Sequence, residues 1–235
     1  MQLLIKFLAA PFAAAFLLLL MNGYFNTSMG ERIIGGIKGI KLPEPDRAGS
    51  VPLETTLQKR RSVRYFQNIP LSLESAAQLL WAAQGITDRR GLRTAPSAGA
   101  LFPLEIYLIT GNVDGLEKGI YHYKPVDHSL TLTSEGDYLL VVSRAALRQD
   151  AIQHAPAVFV IAGKQERTTV KYGERGVRYM YMESGHAAQN ICLQAVALGL
   201  DSVTIGAFAD RKVAEILKIE KDTEPLYIIP VGKAK

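Results

Sequence analysis

GVRYMYMESGHAAQNICLQAVALGLDSVTIGAF, residues 176–208, is the stretch that decides how this chain is read. From Tyr179 to Leu198 it holds no proline and only one glycine, Gly185, so nothing stops a helix there. From Ala187 onward apolar residues fall on every face: Ala187, Ala188, Ile191, Cys192, Leu193, Ala195, Val196, Ala197 and Leu198. A helix that is apolar all round is a buried helix. Gly199 fits the position just past the helix end. Val203–Phe208 then reads as a short buried strand with Gly206 inside it. Glycine in a strand marks close approach by a ligand or another backbone. A plain core helix followed by a core strand explains the same pattern and is the default.

Working outward, Ala157–Ala162 (AVFVIA) and Leu226–Val231 (LYIIPV) are apolar runs of strand length. Pro230 puts the second at a sheet edge or a strand end. Glu105–Thr110 is another strand, and Gly119–Lys124 with Leu130–Thr133 makes a hairpin. Helices are expected over Leu53–Lys59, after the N-cap Ser72 up to Gly85, and over Tyr138–Ala146. Helices interleaved with a hairpin-containing sheet argue one α+β domain, not a parallel α/β fold. Gly91–Pro103 (GLRTAPSAGALFP) is a loop of small side chains that lets a bulky ligand or a second chain reach its backbone, although a tight surface connection reads the same.

Composition narrows the function classes. The 235 residues carry 48% hydrophobic and 21% charged side chains and a net charge of +5, which suits phosphate-bearing ligands or an anionic surface. Clustered Lys/Arg with interleaved aromatics is missing, so nucleic acid is not an expected partner. The single cysteine, Cys192, excludes an intrachain disulfide and a Cys-built metal site. His122, His128, His154 and His186 lack metal-ligand spacing, so no metal is expected. Residues 1–24 contain an uncharged apolar run from Phe7 to Met21, which together with Leu3–Ile5 is about long enough to cross a bilayer. They read as a signal anchor or signal peptide. An anchored chain with an extracytoplasmic catalytic domain is the resulting expectation. Residues 25–52, with Pro43, Pro45 and Pro52, read as a linker, and 53–235 as the domain. Arg60-Arg61-Ser62-Val63-Arg64 places three guanidiniums and a hydroxyl within five residues, which suits a phosphate, although taken alone a solvated basic turn is the default reading.

RRSVRYF (60–66), TAPSAGALFPLE (94–105), KYGERGVRY (171–179), ESGHAAQNICLQAVALGL (183–200) and IPVGK (229–233) occur in an order that resembles the FMN-dependent nitroreductase superfamily. Within it they are similar to the SagB/ThcOx-type azoline dehydrogenase branch. PSAGALFP and GHAAQN are specific together, and the likeness runs from about Leu42 to Lys233. The resemblance implies a nitroreductase-like α+β fold: a central, mostly antiparallel sheet, flanking helices and a long buried dimer helix. It implies a homodimer with FMN at the subunit interface. By the same resemblance, Arg60, Arg61 and Ser62 contact phosphate and ribityl, with Lys233 as a second phosphate ligand admitted by Gly232. Arg64 lies near the flavin pyrimidine, where a cation stabilises the charge of the reduced ring. Pro96, Ser97 and Ala98 reach the flavin from the partner subunit. Ile205, Gly206 and Ala207 lie along the ring with a main-chain N–H aimed at N5. Lys171 and Tyr172 are the implied catalytic pair, removing a proton while hydride leaves to N5.

The implied function is an FMN-dependent oxidoreductase moving hydride between flavin and a small organic or peptide-derived substrate. An NAD(P)H-dependent nitro- or quinone-type reductase is one alternative, and a membrane-tethered flavin-binding protein without turnover is another.

Overall fold

The computed structural model describes residues 31–34 and 37–235, with side chains from residue 39 onward. The apolar segment expected over residues 1–24, with its anchor, lies outside the described residues. In chain order the elements are β1 (Glu31–Ile34), β2 (Ile37–Lys41), α1 (Leu53–Lys59), α2 (Leu73–Gln84), β3 (Leu104–Thr110), β4 (Gly119–Lys124) and β5 (Ser129–Glu135). They continue as α3 (Leu139–Ala145), α4 (Asp150–Gln153), β6 (Ala157–Lys164), α5 (Glu166–Tyr172), α6 (Arg175–Ala197), β7 (Asp201–Ser202), α7 (Asp210–Leu217) and β8 (Thr223–Gly232).

All the strands join one sheet in the order β1-β2-β5-β4-β3-β6-β8-β7, and every pairing is antiparallel. β3 and β6 sit inside it and are apolar on both faces because both faces are covered. Alternation divides their side chains: Ile106, Leu108, Phe159 and Ile161 join the core under α2 and α6. Tyr107, Ile109, Val158 and Val160 join the core under α3, α4 and α7. Each fully buried Ile, Leu or Phe contributes roughly 1.5–3 kcal/mol of transfer free energy. Pro230 sits beside the two-residue β7, where little ladder is lost.

Two expectations need correction. Residues 31–41 are not linker but a hairpin whose second strand pairs with β5. The following segment is docked as well. Leu42 is 3% exposed. His128 Nε2 lies 2.8 Å from the Pro43 carbonyl, and the Gln78 amide bonds both the Asp46 N–H and its carbonyl. Pro43 and Asp46, which read as linker, are held here by side chains far along the chain. Second, α6 is not buried all round. Met180, Ala187, Ala188, Ile191 and Ala195 are buried, but Tyr181 and Met182 are about half exposed and Leu193 and Val196 only partly covered. Gly199 closes the helix at φ +69°, and the Leu200 N–H returns to the Ala195 carbonyl.

Candidate active site

The basic turn after α1 is placed by β7. The Val63 N–H donates to the Ser202 carbonyl at 3.0 Å, and Ser62 bridges Ser202. Ser202 in turn pairs with Val231 of β8, two residues before Lys233. The Gln67 N–H then donates to the Lys233 carbonyl at 2.8 Å. Main-chain pairing thus brings Arg60–Ser62 and Lys233 together across 170 residues of sequence. Lys233 Nζ donates to the Gly199 carbonyl at 2.9 Å, at the C-terminal end of α6, where the helix dipole favours a cation. Among the described residues, Arg61 donates only to the carbonyls of Gln58 and Arg60. Among the described residues, no carboxylate pairs with Arg60, Arg61, Arg64 or Lys233. Like charges held by backbone without a counter-charge suit an anion, and the donor set is of the kind that fits a phosphate. Burial raises the Cys192 thiol, and the Ser202 hydroxyl and the Arg60 charge oppose the rise, which sets Cys192 of α6 beside this cluster.

Gly232 has a different task from the one expected. A Cβ there would meet Pro156 Cδ at 2.8 Å and Phe66 at 3.1 Å, so the glycine admits protein packing, not a ligand. Val203–Phe208 is not a strand. β8 spends its edge on β7 and on one bridge, Ile205 to Ile228. Ile205 is buried, whereas Gly206 and Ala207 are exposed. Among the described residues, neither of their N–H groups donates to a protein acceptor. A Cβ on Gly206 would find only Tyr227 Cε1, at 4.0 Å. Two main-chain donors beside open space suit the edge of a flat ring.

The small-residue loop packs against the end of α5. Gly99 stands at φ +63°, and a Cβ there would lie 2.7 Å from the Tyr172 hydroxyl and 2.9 Å from Lys171 Nζ. Lys171 and Tyr172 therefore share one location with Ser97, Ala98 and Gly99. Lys171 is exposed, its Nζ 5.4 Å from the Tyr172 ring centroid, and Tyr172 packs edge-on against Tyr179 of α6. The loop is strained: Ala100 and Phe102 take φ +54° and +47°. Such conformations cost about 1–3 kcal/mol each and persist only when clamped. The clamps are visible. Ser97 Oγ accepts from the Phe102 N–H at 2.9 Å, Arg167 donates to the Phe102 carbonyl at 2.8 Å, and Arg93 sits 4.4 Å above the Phe102 ring.

Several polar neighbours of the candidate site escaped the sequence reading. Glu105 takes a hydrogen bond from Arg167 and lies 2.5 Å from His122 Nε2, while His122 stacks on Tyr107 at 4.6 Å. Burial alone would raise the Glu105 carboxyl, but His122 and Arg167 overcome it and bring it down to about 2. Glu183 is 2% exposed, and neither carboxyl oxygen has a hydrogen-bond partner. Burial pushes it up to about 7 against the opposing pull of Ser97, Arg93 and Gln84. From Glu183, beside the loop, to Cys192, beside the cations, α6 rises about 13 Å at 1.5 Å per residue. The loop and the cation cluster thus stand apart along α6. A cleft of about 600 Å³ is lined by Phe66, Asn68, Asp137 and His154 among others and by none of the expected site residues.

The model of the Nitroreductase family matches residues 57–233. "Putative nitroreductase MJ1384" of Methanocaldococcus jannaschii is 46% identical over 200 residues, 85% of this chain and 98% of that protein. The "Microcin B17-processing protein McbC" of Escherichia coli is 28% identical over 168 residues, 68% of this chain and 61% of its own length. Among solved structures, a "putative nitroreductase" from Ralstonia eutropha superposes with a TM-score of 0.75 at 30% identity, over 87% of this chain and 93% of its own.

Proposed function

From the premise that this chain belongs to the nitroreductase family, as an oxidoreductase of that fold, we propose that it binds FMN and works as a SagB-type dehydrogenase on a small organic or peptide-derived substrate. The carrying observation is the convergence of Arg60, Arg61, Ser62 and Lys233, without a carboxylate partner, next to the open Gly206–Ala207 amides. Together they fit one terminal phosphate and one flat ring. FMN, when bound, supplies a two-electron hydride acceptor and donor. Arg60, Arg61 and Lys233 hold its phosphate, Ser62 adds a hydroxyl, and Arg64 balances charge at the pyrimidine edge. Ile205, buried and bridged to Ile228, fixes the depth at which the Gly206 and Ala207 amides meet the ring.

Lys171 and Tyr172 hold or remove the proton that leaves a substrate carbon as hydride departs. Their contact with Gly99 ties this proton chemistry to the Pro96–Ala98 loop. We read the active unit as a homodimer in which that loop completes the neighbour's site. The separation of the two half-sites along α6 supports this, as does the apolar strip of Leu53, Leu57, Leu193, Val196 and Leu198, which one protomer leaves partly uncovered. Likeness to a peptide-processing protein of Escherichia coli supports a peptide-derived substrate. The high identity to the Methanocaldococcus protein named a nitroreductase favours the second reading, an NAD(P)H-dependent nitro- or quinone-type reductase. Membrane anchoring, with the catalytic domain extracytoplasmic, remains part of the proposal.

The test is the absorption spectrum of the purified protein and its bleaching. A yellow protein inert to NADH and NADPH that oxidises an azoline with O₂ supports the dehydrogenase. Bleaching by a nicotinamide supports the reductase. A protein that stays colourless after dialysis against FMN refutes both, and a flavin-loaded monomer by light scattering refutes the shared site.

A further inference from the structure

Glu183 is a buried acid that this reading leaves unused. It projects from α6 one turn beyond Tyr179, which touches Tyr172. Its surroundings are polar but do not close on it. Gln84 Nε2 and Arg93 Nε are buried without partners, like both oxygens of Glu183. Arg93 spends one NH group on Gln84 Oε1 at 2.7 Å. From the loop, Ser97 stands beside the carboxyl. The charged and titratable groups around this cluster are Arg93 itself and, beyond it, Glu105 of β3, Tyr123 of β4 and Arg167 of α5. Lys171 and Tyr172 bound the same loop at Gly99. An uncompensated carboxylate in such a place costs several kcal/mol, so its charge responds to any new charge nearby.

Ser97 makes the link. Its Oγ accepts from the Phe102 N–H, which leaves the hydroxyl proton free and a second lone pair open. A hydroxyl in this state, brought within reach of a carboxylate, would donate to it; beside a neutral carboxyl it would accept and turn its proton outward, toward whatever the loop covers.

We propose that Glu183 is a positioning residue whose proton occupancy follows the redox state of the flavin covered by the Ser97 loop. The inference rests on the proposed function. A hydride, one proton with two electrons, leaves the C–H bond of the donor, a substrate or a reduced nicotinamide, and the flavin gains one negative charge. The Glu183 carboxylate then takes one proton from a hydronium ion, which leaves as water. Ser97 is released to donate toward the new negative charge. Reoxidation by the acceptor reverses both steps, and the proton returns to solvent.

The experiment measures the midpoint potential of the full-length FMN-loaded protein from about pH 5 to pH 9, a range that brackets ordinary and raised carboxyls. Wild type is expected to fall more steeply with pH than Glu183→Gln over the upper part of that range. For a two-electron couple the excess is about 30 mV per pH unit, one proton's worth. A second measurement needs no variant: the reduced-minus-oxidised infrared spectrum of wild type should gain the carbonyl band of a protonated carboxylic acid. Equal slopes in wild type and E183Q, or no new band in wild type, overturn this inference while leaving FMN binding intact. A protein that takes up no FMN overturns the proposed function and this inference together.

Discussion

Gly99→Ala places one methyl group between the loop and the Lys171–Tyr172 pair. The new Cβ would stand 2.7 Å from the Tyr172 hydroxyl and 2.9 Å from Lys171 Nζ. Ordinary contact begins near 3.4 Å, so the hydroxyl must retreat by about 0.7 Å. Both atoms are the far ends of side chains, so the fold yields there without breaking. The stability cost is mainly the left-handed backbone at φ +63°, about 1 kcal/mol for a non-glycine residue. For a domain this size that lowers Tm by about 2–4 °C. Catalysis is more sensitive, because a misplacement of about 1 Å costs on the order of 10²-fold. We therefore expect flavin reduction to slow roughly ten- to a hundredfold, with flavin content near wild type because the cation cluster lies a long way down α6. Stopped-flow reduction of wild type and G99A, with flavin content and melting measured in parallel, decides the matter. A folded, flavin-loaded G99A that reduces at the wild-type rate would refute the placement of Lys171 and Tyr172 at the reacting atoms.

Lys171→Ala should lower the rate of flavin reduction by roughly 10²–10⁴-fold, the usual range for a general base, and leave flavin content intact. Arg60→Ala should do the reverse, weakening FMN by about tenfold or more through loss of a charge-assisted hydrogen bond, as read by equilibrium dialysis. Gly206→Ala meets no protein atom nearer than 4.0 Å, so apo-protein melting should not move, while FMN affinity falls because the methyl occupies the ring's place. Glu105 is held at about 2, below its ordinary value, so its contribution to stability is full above about pH 4.5 and is lost as pH falls toward 2. Glu105→Gln should remove at most roughly 3 kcal/mol at neutral pH and flatten urea stability across that acid window.

What the sequence by itself determined is what local rules control. The apolar runs of β3, β6 and β8, the Ser72 cap, the extent of α1 and the Gly199 stop follow from neighbours a few residues away. So do the motifs that tie the chain to its family, since they are linear strings. The Ser72 side chain does accept from the Ser75 N–H, and α1 spans the expected residues. The tertiary structure alone decided everything set by distant partners. Residues 31–41 became sheet because β5 offered a free edge, although their glycines, with the prolines that follow, read as linker. Val203–Phe208, apolar enough for a strand, kept one bridge because β8 was already paired, and this left the Gly206 and Ala207 amides open. Lys171 and Tyr172 acquired a location only when α5 met Gly99, more than seventy residues upstream. A glutamate inside a helix reads as solvated until residues such as Gln84, Arg93 and Ser97, from a helix and a loop about ninety residues earlier, pack around it. Burial of a charge is a property of what folds back onto it, and no window of sequence around Glu183 contains that information.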